Sequence, residues 1–230
     1  MKNPFRQLTR FEISLWVISM ITVIVSFFFS YPRSVLSLIA SILGVTSLIF
    51  LAKGYVIGQI LMMIFALLYG ITSLKMRYYG EMITYVGMSL PIAFISTITW
   101  LKNRYKNTSE VKVASLTKKK LSVLILLTVV VTIAFYFILR ALGTARLFVS
   151  TLSVATSFFA ASLTALRSPY FALGYSLNDI VLIILWSIAT FSDISNLPML
   201  ACFIVFFAND IYGFISWKRR QIRQKYEDLD

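Results

Sequence analysis

Charged residues are spaced along this chain so that six stretches of 19 to 21 residues contain none: 13–32, 34–52, 54–74, 82–101, 121–139 and 147–166. About 20 residues is what an α-helix needs to cross ~30 Å of hydrocarbon. Two longer stretches, 168–192 and 194–217, carry one acid each, Asp179 and Asp210. A backbone in lipid must satisfy its own polar groups, and the alternating pattern of barrel strands is missing, so each stretch is expected to be a helix. The fold class is therefore all-α integral membrane, with eight transmembrane helices. Composition closes off the alternatives. Hydrophobic residues make up 59% and charged residues 13%, against roughly 45–50% and about 25% in soluble domains. The same numbers exclude disorder.

A single cysteine, Cys202, and no histidine rule out an intramolecular disulfide and leave no ordinary zinc or haem ligand set. No metal, cofactor or catalytic residue is expected. A net charge of +13 would suggest nucleic acid in a soluble protein. In a membrane protein it reads instead as cytoplasmic loops, so no nucleic-acid partner is expected. The N-terminal basic segment and apolar run resemble a signal peptide. However, the run is as long as a span and Ser30-Tyr31-Pro32 lacks small cleavage-site residues, which points to an uncleaved helix.

With the N-terminus placed in the cytoplasm, the inner segments hold 17 Lys and Arg residues and the outer loops hold 5 (Arg33, Lys75, Arg77, Arg140 and Arg146). That asymmetry predicts both termini inside. Seven of the inner residues lie in the loop 102–120, read as a topology determinant drawn to anionic lipid. Trp100 and Trp217, each followed by lysine, read as interface anchors, and Lys53 and Arg167 as snorkelling side chains.

The chain also looks internally duplicated. Tyr55 to Trp100 spans 46 residues and Tyr170 to Trp217 spans 48. Each block runs from an aromatic residue through a polar outer turn (75–81; 192–198) to a Trp followed by basic sequence. Adding the preceding helix to each gives a division into 1–34 (N-terminal segment and extra helix), 35–100 (first three-helix repeat), 101–146 (basic loop and connector helix), 147–217 (second repeat) and 218–230 (cytoplasmic tail). An odd connector makes the repeats parallel, a 3+1+3 plan in which a transporter's substrate site lies at the midplane between halves.

Ala52-Lys53-Gly54 opening helix three, Tyr78-Tyr79-Gly80-Glu81 opening helix four and Ile211-Tyr212-Gly213-Phe214-Ile215-Ser216-Trp217 closing the last helix resemble the Pnu-type vitamin transporters. The resemblance covers about 35–220. It implies a multi-pass importer of the bacterial inner membrane, a homotrimer, working by facilitated diffusion with a cytoplasmic kinase trapping the product. The implied cargo is an unphosphorylated nucleoside-like compound, nicotinamide riboside first. A W-x-x-W-x-x-x-N pattern is expected in the nicotinamide riboside branch. Here Asn178 is present, but Phe171 and Gly174 stand at the two tryptophan positions. A deoxynucleoside, thiamine or riboflavin therefore stays open as cargo.

The candidate binding residues follow from depth and side-chain chemistry. Asn178-Asp179 and Asn209-Asp210 sit mid-helix, where an acid costs ~2.5–3.5 kcal/mol on insertion scales and is functional by default. A carboxylate there can accept from ribose hydroxyls. The alternative for each acid is a bond to a neighbouring helix. Gln59, Met62, Ala66, Tyr69 and Ser73 recur at three- and four-residue spacing on one face of helix three. Gln59 could bond a carboxamide or base edge and Tyr69 could stack, unless both are packing glue. Trp186, two turns after Asn178, offers a face to a planar ring or a pyridinium. Tyr212 enters through the closing motif. Pro91 is expected to free backbone carbonyls near the cavity.

Two other classes are weighed. A substrate-binding subunit of an ATPase-driven vitamin transporter has six helices by type, not eight. A membrane enzyme using Asp179 and Asp210 as an acid–base pair would need a glycine-rich context that neither acid has. No Gly-rich phosphate loop is present, so the chain cannot itself spend ATP. The charge count makes one direct prediction: reporters fused at either terminus should read as cytoplasmic, while a cysteine placed in 75–81 should react with an impermeant reagent from outside. The opposite pattern at both sites would overturn the topology.

Overall fold

The computed structural model describes residues 4–31, 33–75, 78–106, 108–144 and 146–229. Lys2, Pro32 and Arg77, used in the sequence reading, lie outside the described residues. Eight helices long and apolar enough to span a membrane are present: α1 (Arg10–Phe29), α2 (Val35–Ala52), α3 (Val56–Lys75), α4 (Tyr79–Lys102), α5 (Lys118–Ala141), α6 (Leu147–Ala165), α7 (Phe171–Ser192) and α8 (Leu197–Glu227).

Their ends follow from local chemistry. Thr9 and Glu12 form a capping box at α1, with Thr9 N–H donating to Glu12 Oε2 at 2.6 Å and Glu12 N–H to Thr9 Oγ1 at 3.3 Å. Ser34 and Thr117 cap α2 and α5 through their hydroxyls. Within α4, Ile83–Ser89 widens into a π-helical segment. Pro91 follows two residues later, and its missing N–H and its ring disturb the bonding of the preceding turn.

Six helices close a ring in which each touches the next: α2–α3–α4–α6–α7–α8 and back to α2. α1 packs outside it against α2 and α8, and α5 outside it against α6. Small residues let the ring tighten. A Cβ added at Gly58 would sit 2.7 Å from Leu51 N, and one at Gly174 would sit 3.1 Å from Ala160 Cα.

Trp100 and Trp217 are not interface anchors. Both are fully buried, with ring centroids 5.2 Å apart. Trp100 Nε1 donates to Thr164 O at 3.0 Å, joining the end of α4 to α6. Trp217 Nε1 donates to Leu51 O at 2.8 Å, joining α8 to α2. The two accepting helices end in the same turn. Gly54 N–H bonds Leu51 O and Tyr55 N–H bonds Phe50 O, while Arg167 N–H bonds Thr164 O and Ser168 N–H bonds Leu163 O, all within 2.9–3.0 Å. Gly54 and Arg167 both take positive φ, 68° and 56°. The loop 103–117 then bonds both turns, Val111 N–H to Gly54 O and Ala114 N–H to Arg167 O.

Residues 218–227, read as part of a tail, are the last turns of α8 and are held to that loop. Arg220 donates to Ala52 O at 3.0 Å and pairs with Glu110, as does Arg223. Gln224 bonds Val111 O and accepts from Val113 N–H. Lys53, expected to snorkel, pairs at 3.2 Å with buried Glu12.

Gly58→Ala should destabilise the protein by about 1–3 kcal/mol, because the methyl meets α2 backbone that cannot swing aside. Thermal unfolding in detergent should show the loss. An unchanged midpoint would mean that the α2–α3 contact is looser than described.

Candidate functional site

At the centre of the ring lies a cavity to which all six ring helices contribute: Leu48 from α2, Met62, Phe65 and Ala66 from α3, Tyr85, Ser89 and Ala93 from α4, Ser157 from α6, Tyr175, Asn178 and Asp179 from α7, and Phe206 and Asp210 from α8. Neither α1 nor α5 reaches it. Its free volume is about 30 Å³, room for about one water, whereas ligand pockets run ~300–1,000 Å³. In this conformation the protein's own aromatic side chains fill the space a ligand would take.

The helix period explains which side chains meet. Tyr175 and Asp179 are one turn apart on α7, as are Phe206 and Asp210 on α8, so each acid has an aromatic ring beneath it. The carboxyls of Asp179 and Asp210 face one another across the α7–α8 seam. Asp179 Oδ2 is buried with no protein partner. Asn178 is fixed from α6, its Oδ1 accepting from Thr156 Oγ1 at 2.8 Å and Ser157 Oγ at 2.9 Å. With that oxygen occupied, its amide N–H groups are the donors left for Tyr85 or for a ligand. Among the described residues, no lysine or arginine lines the cavity.

Chemically, the site offers two acidic oxygen acceptors, an oriented amide and flat aromatic faces. Such a set suits a polyhydroxylated ring joined to a planar or cationic heterocycle.

The expected site residues fall into three groups. Asn178, Asp179 and Asp210 line the cavity, as do Met62 and Ala66 of the α3 stripe. Tyr69 and Trp186 form a layer on the side away from Trp100. Trp186 Nε1 donates to Tyr69 OH at 2.8 Å, and the Tyr69 ring lies 4.2 Å from that of Tyr85. Gln59, also on α3, is buried outside the lining, with Nε2 unpartnered.

Asn209 and Tyr212 point to α1 instead. Asn209 Nδ2 donates to Ser19 Oγ at 3.0 Å, and Tyr212 OH to Glu12 Oε1 at 2.7 Å. Phe171 packs on Trp100 and Trp217, and Gly174 against Ala160, so neither departure from the tryptophan pattern lines the cavity.

Tyr85, Tyr175, Phe65 and Phe206 were not singled out from sequence. The one-turn spacing of Tyr175 and Phe206 before the two acids was the available signal. Glu81, read as part of a polar outer turn, is fully buried beneath the Tyr69 layer. Its Oε2 receives long contacts from Tyr69 OH (3.5 Å) and Ser153 Oγ (3.4 Å), and Oε1 has no protein partner.

A family model described as "Nicotinamide mononucleotide transporter" matches residues 34–219. A curated protein of Neisseria mucosa, named nicotinamide riboside transporter PnuC, is 28% identical over 217 residues, covering 92% of this chain and 82% of that one. Its namesake from Haemophilus influenzae is 27% identical over 191 residues, covering 82% of this chain and 81% of its own. A solved structure described as the crystal structure of the vitamin B3 transporter PnuC matches with a TM-score of 0.83 and 27% identity over 94% of each chain.

Tyr69→Phe keeps the ring stack and removes the hydroxyl to which the buried Trp186 N–H donates. An unpaired buried donor costs about 1–3 kcal/mol, and thermal unfolding of the variant should fall accordingly. A wild-type midpoint would show that this layer bears no energetic weight.

Proposed function

The chain belongs to the nicotinamide mononucleotide transporter family, and on that footing we propose that it imports nicotinamide riboside by facilitated diffusion. The observation that carries the choice of cargo is the charge of the cavity. Among the described residues two acids and no base line it, so a phosphate would meet repulsion and find no arginine or lysine partner there. That favours the riboside of the relatives' names over the mononucleotide of the family description. A pyridinium joined to ribose carries a positive charge on a flat ring and vicinal hydroxyls beside it. Asp179 and Asp210 accept from the hydroxyls and offset the charge, Asn178 orients the sugar or carboxamide, and Tyr85 and Tyr175 receive the ring. A neutral deoxynucleoside gains less from the acid pair. Thiamine, also cationic, is the alternative cargo that the same charge argument supports.

In this reading 35–100 and 147–217 are parallel repeats that rock about the cavity. The matching helix-end turns at Leu51 and Thr164, each receiving a tryptophan N–H from the last helix of a triplet, support the repeat. Both termini lie in the cytoplasm of a bacterial cell, the chain works as a homotrimer, and a cytoplasmic kinase traps the product. Gln59, Tyr69 and Trp186 act from behind the cavity wall, closing it over the ligand, whereas Asn209 and Tyr212 serve by holding α1.

Counterflow in sealed vesicles tests the reading. Nicotinamide riboside should equilibrate without accumulating, indifferent to a proton ionophore, and the mononucleotide should not exchange. Asp210→Asn, which keeps volume but removes the charge, should weaken affinity by about 1.5–3 kcal/mol, the range for a hydrogen bond to a charged group. Uphill accumulation abolished by the ionophore would make the protein a proton symporter. Exchange of the mononucleotide at the riboside's rate would overturn the choice of cargo.

A further inference from the structure

A much larger space than the central cavity opens on the outside of the ring. It is a groove of about 600 Å³ between α4, α5 and α6, and its walls include Ile92, Ile95, Leu124, Leu127 and Phe158. Polar groups gather at one end, where Thr117, Lys119 and Lys120 begin α5. The groove exists because α5 packs on the bundle mainly through α6, with Leu139 near its far end reaching Gly80 and Met88 of α4. Along its first half, Val123 and Leu127 remain 49% and 47% exposed.

Lys118, Lys119 and Lys120 make no ion pair among the described residues, and the first turn of a helix is where its dipole least favours cations. A positive-inside signal explains lysines anywhere in the loop 102–120. It does not explain two of them standing at the mouth of an apolar groove.

We propose that this groove is a binding site for an anionic phospholipid, with one acyl chain between α4, α5 and α6 and the phosphate on Lys119 and Lys120. Both halves of such a ligand are matched. The chain's methylenes replace lipid contacts along Ile92, Leu124 and Phe158, and the lysine ammoniums lie at the end of the slot where a headgroup would emerge. The ligand fills the gap that α5 leaves and ties this peripheral helix to α4 and α6. The inference stands on the membrane setting alone and is independent of what the central cavity carries.

Native mass spectrometry of the full chain in mild detergent tests it, with phosphatidylglycerol and phosphatidylcholine of identical acyl chains as probes. Phosphatidylglycerol should bind at least about tenfold more tightly, the size expected for two lysines beside a headgroup of net negative charge, because the choline of phosphatidylcholine offsets the phosphate that both lipids carry. The double variant Lys119→Gln/Lys120→Gln should lose that preference. Ser162→Phe, which narrows the slot, should weaken both lipids alike. Equal affinities in the wild type, or an unchanged preference in the double variant, would overturn the proposal. So would competition by glycerol phosphate at the lipid's own concentration, which would make the site one for free phosphate. Disulfide trapping of two copies through Leu127→Cys would show that a second protomer, not lipid, fills the groove. Loss of transport in vesicles made of phosphatidylcholine alone is not needed for the site to stand, so failure of the transport reading and of this one are separable.

Discussion

Two indole N–H groups hold this ring of helices shut at one end. Trp100, in the last turn of α4, and Trp217, within α8, each reach a carbonyl in the last turn of a neighbouring helix. Those carbonyls belong to the four that every helix leaves without an intrahelical donor. Each already accepts a backbone N–H from the closing turn, Leu51 O from Gly54 and Thr164 O from Arg167, and a carbonyl oxygen has a second lone pair for the indole. Each tryptophan thereby closes a seam between two helices, α4 with α6 and α8 with α2. Because both rings are buried and touch each other, the seams close against a shared centre.

Closing six helices in this way dictates what can stand in the middle. A ring contributes one narrow face from each helix, so the central space is built from few side chains, and two of them are acids on adjacent helices. Carboxyls that face each other away from water are tolerated where something else will share the site. The adjacent aromatic rings and the amide of Asn178 are the groups on which the proposed preference for flat, hydroxylated, uncharged or cationic molecules rests. The helices left outside the ring have other work. α1 is held by Asn209, Tyr212 and Lys53, and α5 is mostly in contact with lipid.

Much of the fold was legible because charge spacing in a membrane protein is a direct record of span length. What sequence could not show was direction around each helix. Asn209 and Asp210 are neighbours in the chain, yet 100° of helical rotation sends one to α1 and the other to the cavity. Nothing in the local sequence says which face is inward when both are mostly apolar. The same ambiguity made Trp100 and Trp217 look like interface anchors. A tryptophan beside a lysine at a helix end is common to both settings, and only the neighbouring helix end, some 64 or 166 residues away in sequence, distinguishes them. Glu81 was misplaced for a related reason. Its charge set the boundary of a span, so it was counted as outside, while the short first turn of α4 carries it in beneath Tyr69.

The two ends of the ring are therefore closed by different chemistry. At the tryptophan end the ties are neutral N–H to carbonyl bonds of 2.8 and 3.0 Å, reinforced by the loop 103–117 and by Arg220 and Arg223 on Glu110. At the Glu81 end the contacts to the carboxylate are 3.4 and 3.5 Å, beyond the usual optimum for hydroxyl donors. One of its oxygens has no partner, and the π-helical segment of α4 lies immediately after it. A carrier that exposes one cavity to two sides in turn needs closures that can open separately. Here the tryptophan end is tied by short bonds to backbone, while the described ties at the opposite end are the long Glu81 contacts, the bond of Trp186 to Tyr69 and an irregular turn. That difference in bonding marks the Glu81 end as the less firmly tied of the two.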